Sequence, residues 1–488
     1  MFTFSPSTWL ARWQLSRQSL FVFARASAPP PTLSELAARN PSQLPTFVRE
    51  SLLARQYLDL LGPLDWQHLP DRLDQRFAAA CPPLSYAAFL AGYLVKLDQH
   101  LTYFADWRAF LVAQPALLWA LGFPRVPSTA FSWGFDAEQS LPTHRHFSRL
   151  LRKLPDATLQ WLFDETVRLL ARELNEIAPQ WGDCISLDTK HIIAWVKENN
   201  PKAYINGKRY DKRQHPKGDP DCRLGCKRKR NQTKRGESIE SLPTPHANPV
   251  PAAHLEVGEY YWGYGSGIVA TQIPDYGEIV LAELTQPFDQ PDVSYFHPSM
   301  AQVERRMGHR PRYGAFDAAF DAFYVYEYFD DAHGFAAVPF VARGPKPQRT
   351  FSPDGLPLCD AGLAMTPRST FRNRTTLIEH ERTRYGCPLL FPQATGETCP
   401  IQHSNWSKQG CVSTLASSKG ARLRYQLDRD SELYHDKYRQ RTASERIYSQ
   451  AVALGIERPK LRNGMSIAHH NTLTYVLITH VTQRDARV

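Results

Sequence analysis

Residues Asp183 to Val196 read DCISLDTKHIIAWV, and this stretch decides the fold. Its β-branched and apolar residues predict a strand. One acid, Asp188, lies inside it in SLDTK, where an ionised carboxylate facing a core is costly unless a metal ion or another cation accompanies it. The strand is therefore expected to open a sheet and to carry a site.

On the C-terminal side, strands are expected at 260–272 and 278–284, joined by the turn-forming Pro274-Asp275-Tyr276-Gly277. A helix at 295–308, a strand at 313–317, a helix at 321–333 and a strand at 336–341 follow. Helices at 436–453 and 466–483 close the chain. A three-stranded meander followed by alternating helices and strands is the grammar of a ribonuclease H-like α/β domain, expected over 180–488. Two insertions interrupt it: 197–253, basic and proline-rich, and 343–430, which contains cysteines.

On the N-terminal side the period becomes helical. From 34 to 179 apolar residues recur three and four apart, with helices expected at 46–61, 84–98, 104–112 and 157–177. In the last of these, Leu159, Phe163, Val167, Leu170, Leu174 and Ile177 form one stripe. Thr143 is expected to cap a basic helix carrying His144, Arg145, His146, Arg149, Arg152 and Lys153, which suits either phosphate contact or core packing. This all-α region is read as a DNA-binding or dimerisation unit. Residues 1–33, with three Arg and no acid, read as a basic arm without fixed structure.

The 488 residues carry 58 Lys and Arg against 48 Asp and Glu, a net charge of +10. Between Lys202 and Arg235, thirteen Lys and Arg face three Asp, which accounts for the whole surplus. A basic block so concentrated predicts an anionic partner, and nucleic acid is the commonest large one. Lys212, Arg213, Lys227, Arg228, Lys229 and Arg230 are its expected DNA contacts, a solvated loop being the plain alternative. No apolar run approaches the roughly 20 residues needed to cross a bilayer, so no membrane span is expected. Eight widely spread cysteines and the lack of an ordered secretion signal point to a reducing cytoplasm.

Position, rather than spacing, singles out the acids. Asp317 ends the apolar run Tyr313-Gly314-Ala315-Phe316 at the carboxyl tip of a strand, where ligands gather in open α/β sheets. Glu445 falls on the helix 436–453 with Tyr438, Arg441 and Tyr448, at spacings that put them on one face. Cutting or joining a phosphodiester needs an activated oxygen nucleophile and neutralisation of the charge that builds on phosphorus and leaving oxygen. Two Mg²⁺ (or Mn²⁺) ions about 3.5–4 Å apart serve both ends. Such ions take hard oxygen ligands, so Asp188, Asp317 and Glu445 are the expected catalytic and metal-binding residues, with Arg441 suited to grip a phosphate bidentately. Structural roles compete with this reading: Asp188 closing a turn, Asp317 capping the next helix, Glu445 pairing with Arg441. Asp321 rivals Asp317, and Asp183 rivals Asp188.

At these residues the chain resembles a known family. Tyr438-x2-Arg441-x3-Glu445 is similar to the Tyr, Arg, Glu signature of DDE transposases encoded by bacterial insertion sequences, and SLDTK and GAFDAAFD resemble their first and second Asp blocks. The resemblance covers about 180 to 488, and PALLWALGF through HFSRLLRKLP is similar to the N-terminal part of these proteins. It implies that Asp188, Asp317 and Glu445 bind two Mg²⁺, that water hydrolyses the phosphodiester at an element's end, and that the freed 3′-hydroxyl attacks target DNA. Tyr438 and Arg441 would hold the terminal phosphates. It further implies double-stranded DNA as partner, a homodimer on paired ends, and a bacterial, nucleoid-associated location. One departure is plain: family members often carry a Lys seven residues after the Glu, and here that residue is Val452, with Arg446 or Lys460 as candidate replacements. The alternatives are a ribonuclease H-like structure-specific nuclease and a catalytically inactive, DNA-binding descendant.

Cys359, Cys387, Cys399 and Cys411, with His403, offer soft ligands for a structural, tetrahedral Zn²⁺. Cys387, in the apolar run Cys387–Phe391, reads equally as a small buried hydrophobe. Cys222 and Cys226 form a weaker half-site. His469-His470-Asn471, on 466–483, are expected at an exposed or packed turn with no assigned role.

Overall fold

Ser51, Ser85 and Thr143 each accept a backbone N–H with their side chain, from Ala54, Ala88 and His146. Each satisfies one of the orphan donors of a helix start. These caps start α1 (Leu52–Leu61), α2 (Tyr86–Asp98) and α4 (His144–Lys153), while α3 (Phe104–Ala113) and α5 (Asp156–Ile177) begin without one. The expected helix 46–61 is split, because the Ser51 cap begins a new helix after the short turn Thr46–Arg49. The α5 stripe is buried from Leu159 to Leu174, but Ile177 is 63% exposed where the helix runs out into solvent. The structure is a computed structural model that describes residues 32–70, 84–205, 208–227, 259–340, 350–374 and 379–485. The expected basic arm therefore lies almost wholly outside the described residues.

A mixed sheet follows. Strand β1 (Cys184–Ile193) pairs antiparallel with β2 (Glu259–Ile273), which pairs antiparallel with β3 (Gly277–Pro287). Asp275 takes a positive φ of 61° in the turn between β2 and β3. On the other flank of β1 lie β4 (Tyr313–Phe316) and β5 (Phe335–Ala337), both parallel to it, so the order is β3-β2-β1-β4-β5. Parallel neighbours need crossovers. Helices α6 (Phe296–Met307) and α7 (Phe323–Asp330) supply them. A short strand, Arg223–Lys227, extends the far edge of β2. A Cβ on Gly267 of β2 would overlap the ring of Tyr295, which explains a glycine in the centre of a strand.

The second insertion is more ordered than a loop. It holds a three-stranded antiparallel sheet, β6 (Thr366–Asn373), β7 (His380–Gly386) and β8 (Val412–Ala416). It also ends earlier than 430, because α8 (Lys419–Gln426) returns to α7. There the Gly420 N–H donates to Glu327 at 2.7 Å and Lys419 pairs with Asp330 at 2.7 Å.

The expected helix 436–453 is two helices, α9 (Glu432–Arg439) and α10 (Thr442–Ala453). Bonds from the Gln440 and Arg441 N–H groups to the carbonyls of Lys437 and Tyr438 tighten the chain to three residues per turn and end the first helix. Helix α11 (Gly464–Asp485) is buried between the N-terminal helices and β3. Its polar residues are therefore internal, and of the two expectations for 469–471, exposed or packed, the packed one holds. His469 Nδ1 lies 2.6 Å from the Leu151 carbonyl, Asn471 donates to Thr285 at 2.7 Å, and Thr472 donates to the buried Glu283. One hydrophobic core runs through the helical region, the sheet and α11. Among the described residues no helix is long and apolar enough to cross a membrane.

Candidate active site

Strands β1 and β4 run parallel with Leu187 opposite Phe316, and the next residue on each is an acid. Asp188, inside β1, and Asp317, just past the end of β4, therefore stand side by side, their backbones about 5 Å apart as neighbouring strands require. Beyond Phe316 the chain turns away, because Asp317 accepts the Ala319 N–H at 2.8 Å and starts a short 3₁₀ turn. Asp188 stays half-buried and accepts the N–H of Thr189 at 2.8 Å.

A third carboxylate, unforeseen from the sequence, joins them. Asp292, in the turn after β3, accepts the Thr189 hydroxyl at 2.7 Å. Its charge acts on both Asp188 and Asp317. No motif marks it, since QPDVSY is ordinary turn sequence; only the return of the chain to β1 brings it there.

Glu445 arrives from α10. That helix is pinned by Tyr448, whose hydroxyl lies 2.6 Å from the Asp188 carbonyl oxygen and 2.8 Å from that of Ser266. Arg441, at the start of α10, donates to Glu445 at 2.7 Å and also attracts Asp188 and Asp317 through space. Tyr438 belongs to α9 rather than to the same helix. It still reaches the site, stacked on Tyr434 at 5.8 Å and with the Arg441 guanidinium 5.9 Å from its ring.

Burial pushes the Asp188 carboxyl up to about 7; the Thr189 N–H and Arg441 oppose this, while the charges of Asp317 and Asp292 add to it. Asp317 is also held above the usual carboxylate range, by burial and then by Asp292, against the Ala319 N–H and Arg441. Acids crowded at one place with a single guanidinium between them favour any further cation that can enter.

Two of the three structural roles are realised as well, whereas Asp188 lies inside β1 and closes no turn. Asp188 accepts the N–H of its strand neighbour Thr189, Asp317 caps a 3₁₀ turn and Glu445 pairs with Arg441, yet each bond uses one oxygen. The other oxygen of each has no hydrogen-bond partner among the described residues. The rivals are more fully committed: Asp321, its side chain 1% exposed, pairs with Arg424 and accepts the Tyr326 hydroxyl, and Asp183 pairs with Arg312. Glu445 is turned to Arg441, and among the described residues no three Asp, Glu, His or Cys side chains stand close enough to hold a metal ion between them.

Other expected contacts scatter. Arg446 pairs with Glu278 on β3 and donates to Thr442 at 2.9 Å, away from Arg441. Lys212 and Arg213 are exposed, whereas Arg228, Lys229 and Arg230 lie outside the described residues and Lys227 is described only as backbone of a strand. Within the block, Arg209 and Arg223 bind their own loop: Arg209 donates to the carbonyls of Glu198, Asn200 and Ala203, and Arg223 to those of Pro220, Asp221 and Cys222.

Three cysteines of the second insertion share a small separate core, and Cys359 lies beside one of them, Cys411. Cys387 and Cys399 are buried there with Leu389, and Cys411 packs against them. Burial and then the neighbouring thiols of Cys387 and Cys359 push Cys411 up to about 12. His403 turns instead to the Asn405 N–H, at 3.1 Å. Cys222 is buried with its thiol on the Asp219 carbonyl at 3.1 Å. No protein-family model matches the chain, and no curated protein matches it.

Proposed function

We propose that the protein is a DDE transposase that cleaves DNA at element ends and transfers the strand into target DNA. The observation that carries this reading is the placement of Asp188 within β1 beside Asp317 just past the tip of β4, with Arg441, paired to Glu445, attracting both from the start of a helix fastened to the Asp188 carbonyl. The strand order β3-β2-β1-β4-β5, with three antiparallel strands and two parallel ones, supports a ribonuclease H-like domain as the scaffold.

Asp188, Asp317 and Glu445 would hold Mg²⁺ or Mn²⁺ once Glu445 turns from Arg441, since hard carboxylate oxygens fit such ions, and a cation would relieve the cost of charging the two buried, mutually repelling Asp. Such ions, when bound, would supply activation of water and neutralisation at the phosphoryl oxygens. The chain does the rest. Arg441 exchanges Glu445 for a phosphate oxygen pair, which its planar fork accepts bidentately. Tyr438 lines that phosphate's path, and Asp292 holds the strand beside Asp188 through the Thr189 hydroxyl. Double-stranded DNA is the partner, and paired ends call for two copies of the chain.

The test is strand cleavage in Mg²⁺ of a plasmid carrying the DNA that flanks the coding region. Asp188→Ala, Asp317→Ala and Glu445→Ala are each expected to abolish product; retained cleavage in all three ends the proposal. A second reading, DNA binding without cleavage, is favoured by Val452, which is exposed where related enzymes often have Lys, and by Arg446 being held by Glu278. That protein would shift DNA in a gel yet give no product.

We also propose that Cys359, Cys387, Cys399 and Cys411 draw together around a structural Zn²⁺ when it binds, since they do not stand close enough to hold one as they are. The reading is supported by the small separate core that Cys387, Cys399 and Cys411 share, because small cores are commonly stapled by a metal. Elemental analysis of the purified protein is expected to give one zinc per chain, reduced in Cys399→Ser; a zinc-free protein of unchanged stability removes the proposal.

A further inference from the structure

Lys96 of α2 is 5% exposed, and among the described residues it has no ion pair. Its ammonium rests 5.2 Å from the ring centroid of Tyr93 and 5.8 Å from that of Phe104, and Asp106 attracts it only through space. A buried ammonium without a bonded anion is expensive. It lines a cavity of about 280 Å³ between α2 and the segment that follows α10. His100, Arg458, Lys460 and His470 line the same cavity, and among the described residues no Asp or Glu does.

His470 sharpens the picture. Its Nδ1 lies 3.0 Å from the Tyr93 hydroxyl, which burial holds firmly protonated. The phenol is thus the donor, and the ring's proton sits on Nε2. That atom is buried with no well-formed hydrogen bond among the described residues. Burial and the charge of Lys96 keep the ring neutral, its pKa lowered to about 3 despite the nearby Gly455 backbone. Five nitrogen-bearing side chains thus converge on one small space that holds no acceptor of matching charge.

We infer that this cavity is a binding site for a phosphate group, gripped by Lys96 from within and by Arg458 and Lys460 at the rim. Its volume suits one tetrahedral anion with its first waters, and it is too small for a nucleobase pair. The group could be a free inorganic phosphate or a backbone phosphate of DNA. The second source fits the setting: α10 carries Glu445 near one end and reaches the cavity at Ala453, about 12 Å further along the axis. Trp195, 42% exposed, lies beside the rim, with Lys460 and Arg462 over its ring at 5.8 and 4.8 Å. The site does not depend on the chemistry proposed for the three acids.

Calorimetric titration of the full-length protein with inorganic phosphate, at constant ionic strength in chloride, tests it. One site is expected, weakened about tenfold or more in Lys96→Met and in Arg458→Ala, because each loses a charged hydrogen bond. Arg458 is exposed, so its variant keeps the test valid should Lys96→Met misfold. Fluorescence anisotropy of a labelled duplex then separates the sources. Weaker DNA binding by the variants, with displacement by phosphate, assigns the site to the DNA backbone; unchanged DNA binding alongside phosphate heat assigns it to the free ion. Absence of phosphate heat in the parent protein, or equal heat in both variants, overturns the inference.

Discussion

The Tyr448 hydroxyl lies 2.6 Å from the backbone carbonyl of Asp188, so the helix that carries Arg441 and Glu445 is fastened to the strand residue whose carboxylate Arg441 attracts. The same hydroxyl is 2.8 Å from the Ser266 carbonyl on β2. One phenol thereby ties a helix to two strands, 260 residues apart in sequence from the first of them. A helix end placed by loose apolar packing would leave Arg441 and Glu445 free to drift relative to β1.

Tyr448→Phe tests this tether with almost no change of shape. Removing the donor leaves buried carbonyls short of a partner, which costs about 1–3 kcal/mol. Urea denaturation should show that loss, and DNA cleavage should fall further than the stability change alone explains, since α10 can then shift against Asp188. Full cleavage at normal stability would mean that apolar packing suffices to place the helix.

Asp188 gives a pH signature whose sign is fixed. Its folded pKa, about 7, lies above the unfolded value of about 3.8, so the folded state holds the extra proton between those limits. Its contribution to stability is full below the lower value, falls as pH rises toward 7, and is lost above that. Asp188→Asn keeps the shape and the Thr189 contact but carries no charge. The variant should match the parent near pH 4 and exceed it in stability above pH 7, as measured by chemical denaturation across that range. Mg²⁺ should narrow the gap at high pH and leave it unchanged at low pH. A parent no less stable than the variant at pH 8 would contradict the assignment.

Much of this arrangement was legible in the sequence because it is local. SLDTK within an apolar run and an acid at the tip of GAF are one-dimensional patterns, and β1 and β4 form where those runs lie. The break between α9 and α10 was not legible, since it depends on a tightened turn at Gln440 rather than on Gly or Pro. Asp292 was hidden for a different reason: its role comes from a bond to Thr189, a contact 103 residues away in sequence. For His469 and Asn471 the sequence left exposed and packed positions open. Polar side chains normally mark solvent, but α11 buries these, and Thr472 beside them, against partners on α4 and β3 that no local pattern identifies.

Asp292 should matter to the ions more than to the fold. Asp292→Asn keeps an oxygen for the Thr189 hydroxyl and removes a negative charge that acts on both Asp188 and Asp317. Outer partners of metal ligands typically change affinity or activity by about 10- to 100-fold. The Mg²⁺ concentration for half-maximal cleavage should therefore rise within that range while thermal stability stays the same. An unchanged Mg²⁺ titration would reduce Asp292 to a turn residue.

The basic block should divide into two kinds of charge, and salt dependence can tell them apart. Lys212 and Arg213 are exposed, and Arg213 has only a 3.5 Å contact with Asp211. Each Lys or Arg that neutralises a phosphate adds about 0.9 to the slope of log affinity against log salt. Lys212→Ala combined with Arg213→Ala should therefore lower that slope by up to about 2 without destabilising the protein. Arg209 already spends its guanidinium on three carbonyls of its own loop, and its carbonyl accepts the Trp262 indole N–H at 3.1 Å. Arg209→Ala should leave the slope nearly unchanged while making the segment around 198–215 more sensitive to limited proteolysis. Equal slopes for the double variant and the parent would place the DNA contacts elsewhere, and a large slope change in Arg209→Ala would show that a formal charge held by carbonyls still reaches phosphate.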